Sequence, residues 1–439
     1  GLDRVPGMTN RNAIVVGGGL AGLTAATLLA RAGRRVTLYE RSPAVGGRAI
    51  TQDEKGFRLN LGPHALYRGG AGARILKRLG IEVRGGMPKP SGGHAVANGV
   101  AHTLPAGPVS LITTGLLGLS AKLEVARLLN AIGKIESARF DAVPVSDWLA
   151  SDIRHDGVRA LVAALFRLAT YTNDPERQSA GAAIRQLQLA LAANVTYLDG
   201  GWQTLVDQLR GAAEAAGVRL VAGRRVTGVE HDGAVRGIRL EDGSSVEAER
   251  VVLTLAPDEV APLLAGEARA AAERWASAAI PVRAACLDVG LSKLPRPKST
   301  FALGIDRLLY LSVHSAVARL APGEQALIQV AKYLPPGTES DPRAVERELE
   351  GLLDTIQPGW REVLVVRRFL PRLTVMNAFP TAAAGGTAGR PAAAVPGVRG
   401  LFIAGDWVGP EGQLADASFA SASRAAELAA AGSPVAVAA

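Results

Sequence analysis

Residues 12–40, NAIVVGGGLAGLTAATLLARAGRRVTLYE, carry the reading on which the fold turns. Asn12 to Val16 is a short β-branched run of the kind that forms a buried parallel strand. Gly17-Gly18-Gly19-Leu20-Ala21-Gly22 follows at once, then an Ala/Leu-rich helical stretch that stops at Gly33. A second strand, Arg35 to Tyr39, ends in Glu40. This is G-x-G-x-x-G in a strand–turn–helix–strand setting, the signature of a Rossmann-type dinucleotide-binding unit. Gly17 permits the tight turn, Gly19 lets the backbone approach a pyrophosphate, and Gly22 lets the helix pack close on the sheet. The first helical turn, with Leu20 and Ala21, offers free N–H groups and a positive dipole end to phosphate. Glu40 is placed to accept both hydroxyls of an adenosine ribose, and its charge opposes a 2′-phosphate.

The bulk composition limits what this unit belongs to. A chain of 439 residues exceeds one typical core and is expected to form two or three lobes. Hydrophobic residues at 48% and charged residues at 20% describe a folded chain rather than a disordered one. Abundant Ala, Gly and Arg point to a GC-rich bacterial source. The formal charge is +9, but the arginines are scattered singly and no basic run is interleaved with aromatics, so nucleic acid is not an expected partner. One cysteine, Cys286, excludes an intrachain disulfide and a zinc–cysteine cluster. Residues 1–7 read as an expression scar before a native start at Met8, and no secretory segment is present. The most apolar stretch, 105–121, is interrupted by Gly, Ser and Thr and is short of a spanning helix. A cytoplasmic protein is expected, with peripheral membrane contact open; the oligomeric state is not legible.

Beyond Glu40-Arg41 the chain reads Gly46-Gly47-Arg48. This resembles the E-R-x(4)-G-G-R extension of the FAD-dependent amine oxidase, protoporphyrinogen oxidase and phytoene desaturase superfamily. The resemblance implies that Gly47 lies against the cofactor and that Arg48 neutralises its diphosphate. Three further segments are similar in order and spacing. Gly56 to His64 (GFRLNLGPH) looks like the loop beside the flavin, with Gly62-Pro63 as its G-P and Asn60 where many members carry an acid. Tyr197 to Leu205 (YLDGGWQTL) leads to the strand whose backbone pairs with adenine, with Val226 as the contact. Gly400 to Asp406 (GLFIAGD) ends in Gly405-Asp406, the Asp meeting the ribityl or phosphate portion of FAD. Gln413-Leu414-Ala415 then opens a helix aimed at the flavin pyrimidine. Asp416-Ala417 replaces the usual Gly-Ala there.

The fold implied is α/β, a Rossmann-type FAD-binding domain with an interleaved α+β substrate-binding domain. The FAD domain is expected from 10–104, 193–290 and 398–432, and the substrate domain from 105–192, helical, and 291–397, strand-rich. Residues 1–9 and 433–439 are read as tails. Runs such as 123–135 and 158–170 have helical apolar spacing, and 381–399 is a Gly/Ala/Pro-rich connector.

The flavin would carry the chemistry, with hydride passing from a substrate C–H to its N5. His64 and Tyr67, just after Gly62-Pro63, are the candidate catalytic residues, with His314 on a strand-like alternation as a third. Trp407 follows Asp406 and is a candidate wall of the flavin cavity. Arg283 and Lys332 are candidates to bind an acidic substrate group, with solvated surface the favoured reading of each. No lysine stands on the 280–286 strand, where many amine oxidases place one near N5, and Cys286 lies outside the C-terminal segment through which some members tether FAD. The cofactor is therefore expected to be non-covalent FAD, and the substrate a largely apolar small molecule undergoing desaturation or dehydrogenation. Flavin-dependent amine oxidation, a non-redox isomerase or cyclase, and a carrier of prenyl- or lipid-like cargo are the alternatives.

Overall fold

The computed structural model describes residues 12–89 and 91–431, so the two expected tails lie outside the described residues. Strand β1 (Asn12–Val16), helix α1 (Leu20–Arg31) and strand β2 (Arg35–Glu40) form the expected right-handed unit, with β1 and β2 parallel from Asn12↔Arg35 to Val16↔Tyr39. They sit inside a five-stranded parallel sheet in the order Arg219–Ala222, β2, β1, Arg250–Leu253, Leu401–Ile403. Val15, Leu38, Val251, Val252, Leu253 and Ile403 have no exposure, because both faces of this sheet are covered. On one face α1 lies between the helices Gln203–Ala215 and Leu414–Ala430. Its small residues Ala25 and Ala26 join Ala422, Ala425 and Phe419 in one core. On the other face lies the antiparallel ribbon Val226–His231, Val235–Leu240, Ser245–Glu247.

A second sheet has seven strands in the order Leu364–Met376, Val282–Leu291, Ala326–Leu334, Leu309–Ser312, Phe301–Gly304, Gly93–Ala97, Val100–Thr103. Its pairs are antiparallel except Phe301–Gly304 with Gly93–Ala97. Ala285, Leu287, Val289 and Leu291 pack under the helix Pro342–Ile356. The alternate residues Ala284, Cys286 and Asp288 point the other way, toward the first lobe. A helical lobe, Pro108–Thr113 through Ala180–Ala193, has its own core around Trp148, Phe166 and Ile184.

The sheets differ from the expected boundaries at 104 and 290. The hairpin Gly93–Ala97/Val100–Thr103 and the strand Val282–Leu291 pair into the seven-stranded sheet and not with the parallel one. Strand pairing over such separations leaves no local signal, and a strand buried on both faces reads the same in either sheet.

Among the described residues no helix is long and apolar enough to cross a membrane. Phe419 is fully buried where the C-terminal helix meets α1 and the Ala71–Leu79 helix. Phe419→Ala is expected to cost about 3–5 kcal/mol and to lower the thermal midpoint of the purified protein. Leu191→Ala, at a side chain 54% exposed, should leave the midpoint unchanged.

Candidate functional site

The β1–α1 turn opens on one continuous cavity of about 1340 Å³. That exceeds the ~300–1,000 Å³ of an ordinary ligand pocket and leaves room for a dinucleotide and a second molecule. Gly17 has φ +105°, and a Cβ on it would meet Thr254 Oγ1 at 2.6 Å. A Cβ on Gly22 would lie 1.8 Å from the Gly17 carbonyl oxygen, so this residue sets how closely α1 approaches β1. A Cβ on Gly19 meets nothing, because that side faces the cavity. The N-terminus of α1 carries no side-chain cap and no acid in its first turn, which leaves its N–H groups to an anion. Glu40 is held at the rim by Gly18 N–H on Oε2 (2.7 Å) and Ser42 N–H on Oε1 (2.8 Å).

Further along, Arg48 donates to Asp406 Oδ2 at 2.6 Å and to the Val375 carbonyl at 2.8 Å. Asp406 is 2% exposed and also accepts from Asn377 Nδ2 at 2.9 Å. The loop after it is gripped by the half-buried Arg390, which donates to the carbonyls of Gly409 and Gly412. Burial lowers the Arg390 guanidinium to about 10, and the Asp406 charge works against that shift. Leu414 opens the C-terminal helix at φ +56°, a left-handed conformation rare for a branched side chain, and lines the cavity. Two residues on, Asp416 accepts from Gly72 N–H at 2.7 Å and so caps the Ala71–Leu79 helix, whose own N-cap is Gly70. Burial raises Asp416 to about 6.

The loop 60–64 crosses the cavity between the two lobes. The Gly62 carbonyl faces His64 Nδ1 at 2.9 Å and accepts from Gln329 Nε2 at 3.2 Å. A carbonyl only accepts, so Nδ1 carries the proton and Nε2 keeps its lone pair. Burial lowers the His64 pKa below 6.5, with the nearby Arg48 charge adding to it and the Gly62 bond opposing it. His64 is thus a neutral imidazole with an accepting Nε2. Trp202 lies against its ring at 5.0 Å. Beneath the loop, Gln329 also donates to Asp288, and Arg368 donates to Asp288 Oδ2 (Nε, 3.0 Å) and to the Asn60 carbonyl. Asp288 has no exposure; burial raises its pKa, and the Arg368 charge pulls it back.

The far half of the cavity is lined by Leu165, Leu168, Leu187, Phe301, Tyr171 and Tyr310. Five of the six tyrosines of the chain line the cavity, and the sixth, Tyr333, packs edge-on against Tyr171 at 5.7 Å. Tyr171 sits at φ +59° and donates to the Pro63 carbonyl at 3.3 Å.

The cavity brings together Gly17, Gly19, Leu20, Ala21, Glu40, Arg41, Gly47, Arg48, Gly62, Pro63, His64, Tyr67, Val226, Gly405, Asp406, Leu414 and Ala415. Gly22 supports it from behind. Gln413 does not line it; it is buried, and its Nε2 donates to the Ala182 carbonyl. Tyr67 lines the wall with its hydroxyl donating to the Ala169 carbonyl at 2.7 Å, and burial raises its pKa. His314 does not face the cavity. It begins a short 3-10 turn, stacks on Tyr197 at 3.8 Å and meets the Tyr310 hydroxyl at 3.1 Å through Nε2. The strand ends at Ser312, two residues earlier than the alternation implied. Trp407 packs on Trp275 and donates to the Leu255 carbonyl, outside the cavity lining. Lys332 pairs with Glu348 at 2.7 Å. Cys286, read as a core residue, is buried yet touches the cavity beneath Gly62. Tyr171, Asn377, Arg390, Gln329, Asp288 and Arg368 were not singled out from sequence. None stands in a motif, and a left-handed tyrosine is visible only in coordinates.

The model of the flavin containing amine oxidoreductase family matches residues 20–430, and the chain belongs to that family. Coproporphyrinogen III oxidase of Bacillus subtilis (strain 168) is 24% identical over 294 residues, 57% of this chain and 61% of that protein. Phytoene dehydrogenase of Streptomyces griseus is 55% identical over 53 residues, 12% of this chain and 10% of that one. The chain thus spans less than two thirds of the length of either relative. The crystal structure of an oxidoreductase from Methanosarcina mazei superposes with a TM-score of 0.73 at 21% identity, covering 94% of this chain and 98% of that one. At that identity the likeness establishes the fold. Membership implies a flavin cofactor, and the uncapped α1 terminus, the open side of Gly19 and the Arg48–Asp406 pair fit one.

Arg368→Met leaves the buried Asp288 without its counter-charge, with Gln329 as its remaining donor, and is expected to cost about 3–5 kcal/mol; replacing both Arg368 and Asp288 with apolar residues should cost less. Chemical unfolding of the two variants compares them. Burial, with the His64 charge adding to it, depresses His314 to about 3. Its neutral burial therefore supports the fold above pH 6.5, and that support falls away as the pH drops toward 3. His314→Phe should flatten the loss of stability between pH 6.5 and 4, by an amount of the order of 3 kcal/mol.

Proposed function

We propose that the protein is an FAD-dependent oxidoreductase that takes hydride from a largely apolar small molecule, with FAD held non-covalently. The observation that carries this reading is the continuity of the cavity. It runs from an anion cradle at α1, past Arg48–Asp406 and the Gly62–His64 loop, into a chamber of leucines and tyrosines. In this reading the parallel-sheet lobe binds FAD, and the seven-stranded sheet with the helices 108–193 holds substrate. When bound, the flavin supplies the two-electron acceptor. Glu40 would hold the adenosine ribose, the α1 N–H groups and Arg48 would hold the diphosphate, and Val226 would hold the adenine. The backbone N–H groups at Leu414 and Ala415 would stabilise negative charge on the flavin. Leu165, Leu168 and Phe301 exclude water, and His64 Nε2 stands ready to receive the substrate proton. The only cysteine, Cys286, lies under Gly62 and not in the 405–416 segment, which supports a non-covalent cofactor.

Amine oxidation is a second reading, favoured by one observation. Tyr67, Tyr171, Tyr197 and Tyr310 present aromatic surface to the chamber, which also suits an alkylammonium group.

Purified protein should show a flavin absorption band, and denaturation should release FAD identifiable by mass. A colourless protein that cannot be reconstituted overturns the proposal. Under anaerobic conditions a long isoprenoid or polyene should bleach the band, while a primary alkylamine bleaching it faster would favour the second reading. Reduction by dithionite but by neither probe class would remove the redox assignment. His64→Gln is expected to slow substrate-driven bleaching by about 10²–10⁴ and to abolish the acidic limb of the pH profile, which lies below 6.5 in the parent.

A further inference from the structure

Four of the large apolar side chains exposed among the described residues stand on two adjoining helices. Val109 and Ile112, one turn apart on the Pro108–Thr113 helix, are 75% and 74% exposed, while Leu111 between them is buried. Leu119 and Leu123, one turn apart at the start of the Leu119–Ile132 helix, are 78% and 54% exposed, while Ala121 and Val125 face the core. Lys122 Nζ donates to the Ile112 carbonyl at 2.7 Å, so the two helices share this face. A surface helix normally turns polar residues outward, and these two turn out Val, Ile and Leu. Contiguous exposed apolar surface marks a place where something else binds.

We propose that this face docks on an anionic lipid surface and sets the mouth of the cavity against it. Two further observations fix the occupant. Between residues 89 and 134 the chain carries Lys89, Lys122, Arg127 and Lys134 against a single acid, Glu124. Glu124 is already engaged within the protein: it accepts from Arg154 N–H at 2.7 Å and lies 2.6 Å from His155 Nδ1. Apolar side chains on a segment with an excess of cations, one of which, Lys122, is fixed on the same face, match the boundary between acyl chains and anionic headgroups. A second copy of this chain on the same face would bring those cations against one another across a twofold axis, which opposes self-association. The cavity opens nearby. Ala106, two residues before the first helix, lines it, as do Lys89 and the exposed Leu191. A long apolar substrate dissolved in the lipid would then enter the leucine–tyrosine chamber without crossing water. This route rests on the apolar-substrate reading of the cavity, whereas attachment to lipid does not.

The test is co-sedimentation of the full flavin-loaded chain with vesicles of phosphatidylcholine and phosphatidylglycerol, and with phosphatidylcholine alone. The protein is expected to sediment with the anionic vesicles and to be released by raising the salt concentration. The double variant Val109→Glu/Ile112→Glu places charge at two largely exposed positions, so it should fold and keep its flavin band while binding anionic vesicles about tenfold more weakly or worse. Flavin reduction by a short soluble probe should be unchanged in that variant. Absence of vesicle binding by the parent overturns the docking proposal. So does binding that the double variant retains, or a concentration-dependent dimer of the parent that the double variant abolishes. Failure of apolar probes to reduce the flavin would overturn the functional reading and leave the vesicle result standing.

Discussion

Asp288 sits at zero exposure on the strand next to the Leu364–Met376 edge of the seven-stranded sheet, and a carboxylate there is tolerated only because Arg368 and Gln329 meet it. An ion pair removed from water this far gains little over well-packed apolar residues, while its isolated halves are costly. What the arrangement does provide is direction. Arg368 and Gln329 each spend a second hydrogen bond on the loop across the cavity, at the carbonyls of Asn60 and Gly62. The Gly62 carbonyl in turn fixes the proton of His64 on Nδ1. One buried charge in one lobe thereby sets the tautomer of an imidazole that faces the other.

The same economy recurs at the helix ends. The termini of α1 and of the Leu414–Ala430 helix both point at the cavity without a side-chain cap, so their dipoles act on whatever fills it. The terminus of the Ala71–Leu79 helix is instead closed by Asp416, which supplies the cap that Gly70 lacks. Backbone strain follows the same map: of the few non-glycine residues at positive φ, Tyr171 and Leu414 both lie on the cavity wall. Each holds a side chain on the cavity wall at a conformational cost that the surrounding packing must offset.

The sequence made the nucleotide-binding unit legible because its logic is local. Turn, close approach and helix terminus are all fixed by Gly17, Gly19 and Gly22 within six residues, and Glu40 closes the unit one strand later. Arg48 and Asp406 could be named singly for the same reason, each standing in its own short motif. That they form a pair 2.6 Å apart is a property of the folded chain, since 358 residues separate them.

Other features were decided only by tertiary structure. Both the Gly93–Ala97 hairpin and the Val282–Leu291 strand pair with distant partners, and a strand buried on two faces carries no sign of which sheet it will join. His314 looked like one more residue of an alternating strand, but the strand stops at Ser312 and the ring turns to stack on Tyr197. Cys286 read as filling and became a contact of the Gly62 loop, because period-two geometry aims it there once its strand is placed. The tyrosine-lined chamber draws on separate segments, none of which has a motif of its own. Local hydrogen bonding and sterics wrote the cofactor cradle into the sequence. The shape of the leucine- and tyrosine-lined chamber came from long-range packing, which no single segment contains.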